Sequence, residues 1–260
     1  MPKKPYKKRK RKRSGKKDTN IRRKYIVSFL LVFSLILLAT ILIWNYYHEP
    51  ESFTSEKYYV KGIDLSHHNP IPDWNVLVDQ NVYFAYIKAT EGISHEDRNY
   101  IYNYELAHET NIKIGSYHFF NFAVPGKEQA KYFIQKAKFS TGDLLPAIDV
   151  EHSPANLYNK DKKCIDDVVK ELKVLESELY EHFGVHPVIY TNGDCYKLYI
   201  KGNFPENIIW MCDLHKEPSK DVNWRIWQFS HNGEMPGIDG DVDLNYYRYS
   251  FQEFQELLLP

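Results

Sequence analysis

The stretch LLPAIDVEH, Leu144 to His152, opens like a buried strand and closes on two carboxylates. Leu144, Leu145, Ala147 and Ile148 are apolar; Asp149 and Glu151 follow with Val150 between them. Alternate residues of a strand share a face, so both acids point one way and Val150 the other. Taken alone, the stretch reads as a solvated strand end. Two like charges in a partly desolvated cleft, however, push one carboxyl towards its protonated form. A protonated acid beside an ionised one is the combination that glycoside hydrolysis needs.

Outward from this stretch, short apolar and aromatic runs alternate with amphipathic ones. Strands are predicted at 59–66, 83–90, 113–120, 186–192, 207–212 and 225–230, besides 144–151. Helices are predicted at 95–111, 125–139 and 160–184, the last stopping at Gly184. Such alternation implies a parallel sheet, and seven or eight strands in about 200 residues imply a single irregular TIM-like β/α barrel of the α/β class. The region after 185 is poor in helix. A barrel of this kind carries its active site at the C-terminal strand ends. Polar residues gather there: Asp64 on the first run, Glu91 after the second, Tyr117 and His118 on the third, Tyr190 and Asn192 on the fifth, Gln228 on the seventh. Near the end, GIDGDVDLNYY brings Asp239, Asp241 and Asp243. In a closed barrel the last strand neighbours the first, so Asp243 and Asp64 would face Asp149 and Glu151 across the mouth.

Metal chemistry fits less well. DGDVDLN begins like a calcium loop, but Leu244 stands where the loop needs Gly and Ser250 where it needs the closing Glu. His67 and His68 are adjacent, and adjacent side chains on a strand or helix diverge. His182 and His186 lack the HExxH context, and Pro187 breaks any helix there. No metal and no cofactor is expected. Three cysteines, Cys164, Cys195 and Cys212, do not make a disulfide framework.

The zero net charge hides a division. Residues 1–24 hold 14 of the 34 bases and one of the 34 acids, leaving 20 bases against 33 acids in the remainder. Then comes YIVSFLLVFSLILLATILIW, Tyr25 to Trp44, without a charge and long enough as a helix to cross a hydrocarbon core. Trp44, Tyr46 and Tyr47 suit the far interface. No small-residue cleavage site follows, so an uncleaved signal anchor is favoured over a cleaved signal peptide. The expected organisation is a basic cytoplasmic tail (1–24), a transmembrane helix (25–45), a linker (46–58) and an extracytoplasmic barrel (59–260). Lipid contact and membrane orientation account for the tail, and no nucleic acid partner is expected. No obligate protein partner is evident.

In this order GIDLSHHN, FAYIKATEG, GSYHFF, PAIDVE, VIYTN, IWQFS and GDVDLN resemble the glycoside hydrolase family 25 lysozymes, over about residues 60–250. The resemblance implies cleavage of the β-1,4 bond between N-acetylmuramic acid and N-acetylglucosamine in peptidoglycan. It implies Glu151 as proton donor, with Asp149, Asp64 and Asp243 as further catalytic residues; Asp241 competes with Asp243 for its place. By the same analogy Tyr117, Tyr190, Trp227 and Gln228 bind substrate, and Glu91 lies in or near the cleft. The spacing of Asp149 and Glu151 is compatible with direct attack, with inversion and with a route through the substrate's own acetamido group; the last is favoured because the substrate carries that group. A glycan-binding barrel without catalysis and a metal-dependent hydrolase remain as alternatives.

Overall fold

A computed structural model of the chain describes residues 15–47 and 51–260. The chain divides into two units, 1–49 and 50–260. In the first, helix α1 (Gly15–Tyr47) begins within the basic tail, ahead of the apolar run, and continues past it. Within Arg22–Ile43 an 18-residue window reaches a mean hydropathy of 3.0, and the side chains of that span are exposed throughout. Two of its hydroxyls are satisfied within the helix: Ser34 Oγ donates to Leu31 O (2.9 Å) and Thr40 Oγ1 to Leu37 O (2.7 Å). A helix that must cross an apolar medium disposes of its polar groups in this way. Residues 1–14 of the tail, 48–50 of the expected linker, and the side chains of Trp44, Tyr46 and Tyr47 lie outside the described residues.

The second unit is the barrel. Its strands are β1 (Val60–Leu65), β2 (Val82–Glu91), the two-residue β3 (His95–Glu96), β4 (Lys113–Phe119), β5 (Ala147–Val150), β6 (Val188–Asn192), β7 (Ile209–Cys212), β8 (Trp224–Gly233) and β9 (Val242–Tyr247). The sheet runs β1-β9-β8-β7-β6-β5-β4-β2 and closes through a parallel β1–β2 pairing; β3 hangs on the end of β2. Helices α2 (Trp74–Asp79), α3 (Tyr100–His108), α4 (Gly126–Lys136) and α5 (Lys162–Phe183) cover its first half. After β6 the described residues hold only α6 (Gly193–Cys195), a π-helical turn (Tyr196–Ile200) and, past β9, α7 (Phe251–Phe254) with a 3₁₀ turn.

The alternation predicts a parallel sheet, but the sheet is mixed: β9 runs antiparallel to both β8 and β1. The connection 234–241 is too short for a parallel crossover, which takes a dozen residues or more. Two further expectations change. Residues 51–58 are no free linker, because Phe53 packs on Phe229 and Tyr246, Tyr58 is buried against Trp224 and Trp227, and Ser55 N donates to the Tyr246 hydroxyl. And α3 starts at Tyr100 rather than 95, since His95 and Glu96 pair with β2.

Alternation along the strands sorts the core into two layers. Inside the barrel lie Val60, Phe84, Tyr86, Ala147, Val188, Trp210, Ile226 and Tyr247; between sheet and helices lie Ile63, Ile87, Ile148, Ile189 and their neighbours. Gly62 faces inward under the Phe84 ring, where a Cβ would meet carbon at 2.3 Å. Phe254, Leu257 and Leu259 fill the N-terminal end of the barrel, held by Leu145 N to Leu257 O and Leu259 N to Asp143 O, each 2.7 Å. The C-terminal end carries the cleft.

Candidate active site

Each of the eight strands that close the barrel, β3 apart, sends at least one side chain into a cleft of about 370 Å³. Asp64 comes from β1, Lys88 from β2, Tyr117 and Phe119 from β4, and Asp149 from β5, with Glu151 just past its end. Tyr190, Trp210, Cys212, Gln228 and Asp243 complete the circle from β6 to β9; Ser66, His68 and His231 stand around them. Seven of the residues singled out by sequence are thus together: Asp64, Asp149, Glu151, Asp243, Tyr117, Tyr190 and Gln228.

Asp243 reaches the mouth because β9 is antiparallel. The start of a reversed strand lies beside the ends of the others, and Asp243 pairs directly with Asp64. Asn245 and Tyr247 then point inward below it, two and four residues on. Asp241 precedes the strand and is exposed, its carbonyl accepting from Asn69 Nδ2 (3.1 Å), so Asp243 is the inward acid.

A chain of hydrogen bonds fixes Asp64. Its Oδ2 accepts from Gln228 Nε2 (2.9 Å) and Asn245 Nδ2 (2.8 Å). The Trp210 indole, which can only donate, bonds Asn245 Oδ1 (2.7 Å) and so orients that amide. The Tyr190 hydroxyl donates to Gln228 Oε1 (2.8 Å) and does the same for Gln228. Trp210 also stacks on Tyr86 and meets Tyr190 edge-on, with centroids 4.8 Å away in both cases.

The carboxyls are costly to ionise together. Burial first, then Glu151, pushes Asp149 well above the usual carboxylate range, and Asp149 Oδ1 is buried with no partner. Burial and the charge of Asp64 push Glu151 up to about 7. Burial, offset by its amide donors, leaves Asp64 at about 6; burial and Asp64 push Asp243 up to about 9. Lys88 opposes this. Its buried ammonium favours the ionised forms of Asp149 and Glu151, bonds Glu91 Oε2 (2.7 Å) and lies 4.7 Å from the centre of the Phe119 ring.

Four predicted residues sit outside the circle. Glu91 acts on the cleft through Lys88. Three residues apart on a regular strand they would face opposite ways, but a register shift between Lys88 and Thr90 reverses the parity. Trp227 lies on the outer face, its Nε1 donating to Asp213 O (2.8 Å), its ring among Tyr58, Phe229 and Tyr246. Neighbours on a strand cannot both point inward, and Gln228 does. His118 also points outward, buried between Thr90 Oγ1 (2.8 Å) and Gln129 Oε1 (3.1 Å), and burial holds it at about 4. Asn192 caps α6, accepting from Asp194 N and Cys195 N.

Sequence reasoning missed Lys88, Trp210 and Asn245. It also missed Asn156, which ties the loop after Glu151 by donating to Phe120 O (2.7 Å) and Glu151 O (3.2 Å). A lysine inside the apolar run YFAYIKAT was the available signal for the first. Among the described residues, the one group of side chains with metal-ligand spacing lies outside this lining.

A family model for glycosyl hydrolases family 25 matches residues 63–238. The chain belongs to this family. It is 33% identical over 215 residues to YegX, an uncharacterized protein of Escherichia coli O157:H7, covering 80% of this chain and 75% of that one. It is 29% identical over 206 residues to lysozyme M1 of Streptomyces globisporus, covering 74% and 68%. The structure of a family 25 glycosyl hydrolase from Bacillus anthracis superposes with a TM-score of 0.73 at 33% identity, covering 79% of this chain and 98% of that one. As a family 25 member the chain is a glycoside hydrolase, and its fold is that of the family's barrel.

Proposed function

We propose that the chain is a membrane-anchored N-acetylmuramidase that cleaves the β-1,4 bond between N-acetylmuramic acid and N-acetylglucosamine in peptidoglycan, with Glu151 as general acid. The observation that carries the reading is the crowding of Asp64, Asp149, Glu151 and Asp243 into one cleft with Lys88 as the buried cation among them. A family 25 fold and a lysozyme relative support the substrate.

Asp149 and Glu151 share a proton, and substrate decides where it sits. Asp149 lines the cleft. The acetamido N–H of a bound amino sugar would donate to its carboxylate there, stabilise it and leave the proton on Glu151. Glu151 then protonates the leaving glycosidic oxygen. The acetamido oxygen attacks the anomeric carbon as that bond breaks, and Asp149 stabilises the positive charge on the acetamido group. Water, deprotonated by Glu151, opens the resulting ring. Asp64, ionised and bonded by the protonated Asp243, holds the negative field that favours an oxocarbenium-like transition state. Tyr190 and Gln228 position Asp64, and the largely buried Tyr117 and Trp210 line the cleft with aromatic surface.

Digestion of purified cell wall by the full chain and by Glu151→Gln tests the class. The wild type should release new reducing ends at muramic acid, and the variant should be slower by about 10²–10⁴-fold. Equal digestion by both removes Glu151 from the role. The stereochemistry of the first product, followed by NMR, tests the route: retention is expected, and first-formed inverted anomer excludes acetamido attack.

A further inference from the structure

Beside the cleft, a second set of side chains collects donors of a different kind. His67 lies in the turn after β1, His95 on β3, and Asp97 two residues further on. Two ring nitrogens and a carboxylate oxygen from these residues lie within 4.8 Å of one another. The fold explains the meeting. β1 and β2 are parallel neighbours, so the loops leaving their C-terminal ends run side by side on the barrel rim. β3 turns back on β2 with His95 opposite Glu91. His95 and Asp97 are two apart on that extended segment and share a face. In the turn, His67 and His68 do not diverge as they would on a strand or helix; their ring centroids are 4.0 Å apart, and those of His67 and His95 5.5 Å.

His67 and Asp97 already meet at ligand distance. Buried Asp97 Oδ2 accepts from His67 N (2.8 Å) and lies 2.7 Å from His67 Nδ1, while Oδ1 accepts from Asn99 N (2.9 Å). A metal ion held by His67 Nδ1 and Asp97 would take the place of the proton that these two atoms share without it, because ligating groups bind deprotonated. The two backbone N–H donors then leave lone pairs on Asp97 for the metal. The cations nearby are directed elsewhere: Arg98 donates to His67 O (3.1 Å) and Lys88 to Glu91. A purely structural His–Asp pair would account for His67 and Asp97. It does not account for the exposed His95 arriving at the same point.

We infer that His67, His95 and Asp97 form a binding site for a divalent transition metal of the zinc type, on the rim of the cleft and distinct from its carboxyls. Two imidazoles and a carboxylate are a zinc-like donor set, and three protein ligands leave a position for water or for His68. Calcium and magnesium, which take oxygen ligands, suit it poorly. The loop after β1 also carries Ser66 and His68 into the cleft lining. A metal here would clamp that loop to the one after β2 and stiffen one wall of the cleft. The inference does not depend on which glycan the cleft cleaves.

The test uses the tag-free full chain in mild detergent, stripped with chelator, dialysed and titrated with zinc by calorimetry. Cobalt(II) absorbance serves as the coordination probe. One saturable equivalent is expected, with a four-coordinate cobalt spectrum. His95→Ala, at an exposed position, should weaken binding at least tenfold. His186→Ala, which removes a histidine paired with Glu176 elsewhere, should not change it. Metal-free thermal melts verify that each variant is folded. The absence of saturable binding, equal binding by His95→Ala, or loss of binding in His186→Ala alone overturns the site.

Discussion

Asp243 shows most directly how the site works against the fold. Its carboxyl is pushed up to about 9 by burial and by Asp64, while in an unfolded chain it would titrate near 3.9. The folded state therefore binds the proton more tightly. Its contribution is fully present below about pH 4 and is lost as pH rises through about 9. Asp243→Asn keeps the shape and removes the charge. The variant should be more stable than wild type at pH 8, by roughly 1–2 kcal/mol, with the gain shrinking towards pH 4, as read by urea unfolding at the two pH values. A gain equal at both would mean that the charge is not the cause. Its activity should fall, since stability and a strained active site oppose each other. The same chemistry sets the pH profile. Glu151 is held up to about 7 and must be protonated to act as acid, so kcat/KM should decline above about pH 7. Lys88 favours the ionised form of Glu151, so Lys88→Met should move that alkaline limb upward, by about one pH unit. A downward move would contradict the assignment of Lys88 as the opposing charge.

At the level of strands and loops, parity decides which residues meet. Asp149 and Glu151 were legible because a two-residue step on a regular strand keeps both on one side. Trp227 and Gln228 form a one-residue step, so a motif containing both can place only one inward; the packing of Trp227 with Tyr58 and Tyr246 decides which. Glu91 was legible as a strand-end acid, but its partnership with Lys88 was not, because the register shift that joins them leaves no mark in the residue types. The reversal of β9 and the roles of Trp210 and Asn245 were hidden for a similar reason: they depend on contacts with residues far away in the chain. Residues 51–58 looked polar enough for a linker, yet two aromatic side chains are enough to dock the segment. Phe53→Ala should therefore lower barrel stability by roughly 1–3 kcal/mol, measured by urea unfolding, and a fragment starting at 59 should melt below one starting at 51. Equal melting temperatures would return the segment to the status of a linker.

For the whole molecule, the charge division and α1 make one statement about location. Fourteen bases precede an uncharged run whose 18-residue window has a mean hydropathy of 3.0, and the barrel that follows belongs to the acidic remainder. Basic residues are retained on the cytoplasmic side, which would send the barrel across the membrane to the face where cell wall lies. Two forces would then hold the protein: contact of the tail with anionic lipid, which salt screens, and burial of the apolar run, which salt does not weaken. Full-length protein should accordingly stay with membranes through a high-salt wash and leave only in detergent, while residues 51–260 alone should be soluble and keep wall-digesting activity. Protease added to intact spheroplasts should degrade the barrel and spare an epitope placed at residue 1. A cleaved leader predicts a different pattern, with the epitope lost from the mature chain and the barrel free in the medium. Observing it would replace the anchor with a signal peptide while leaving the chemistry of the cleft as argued.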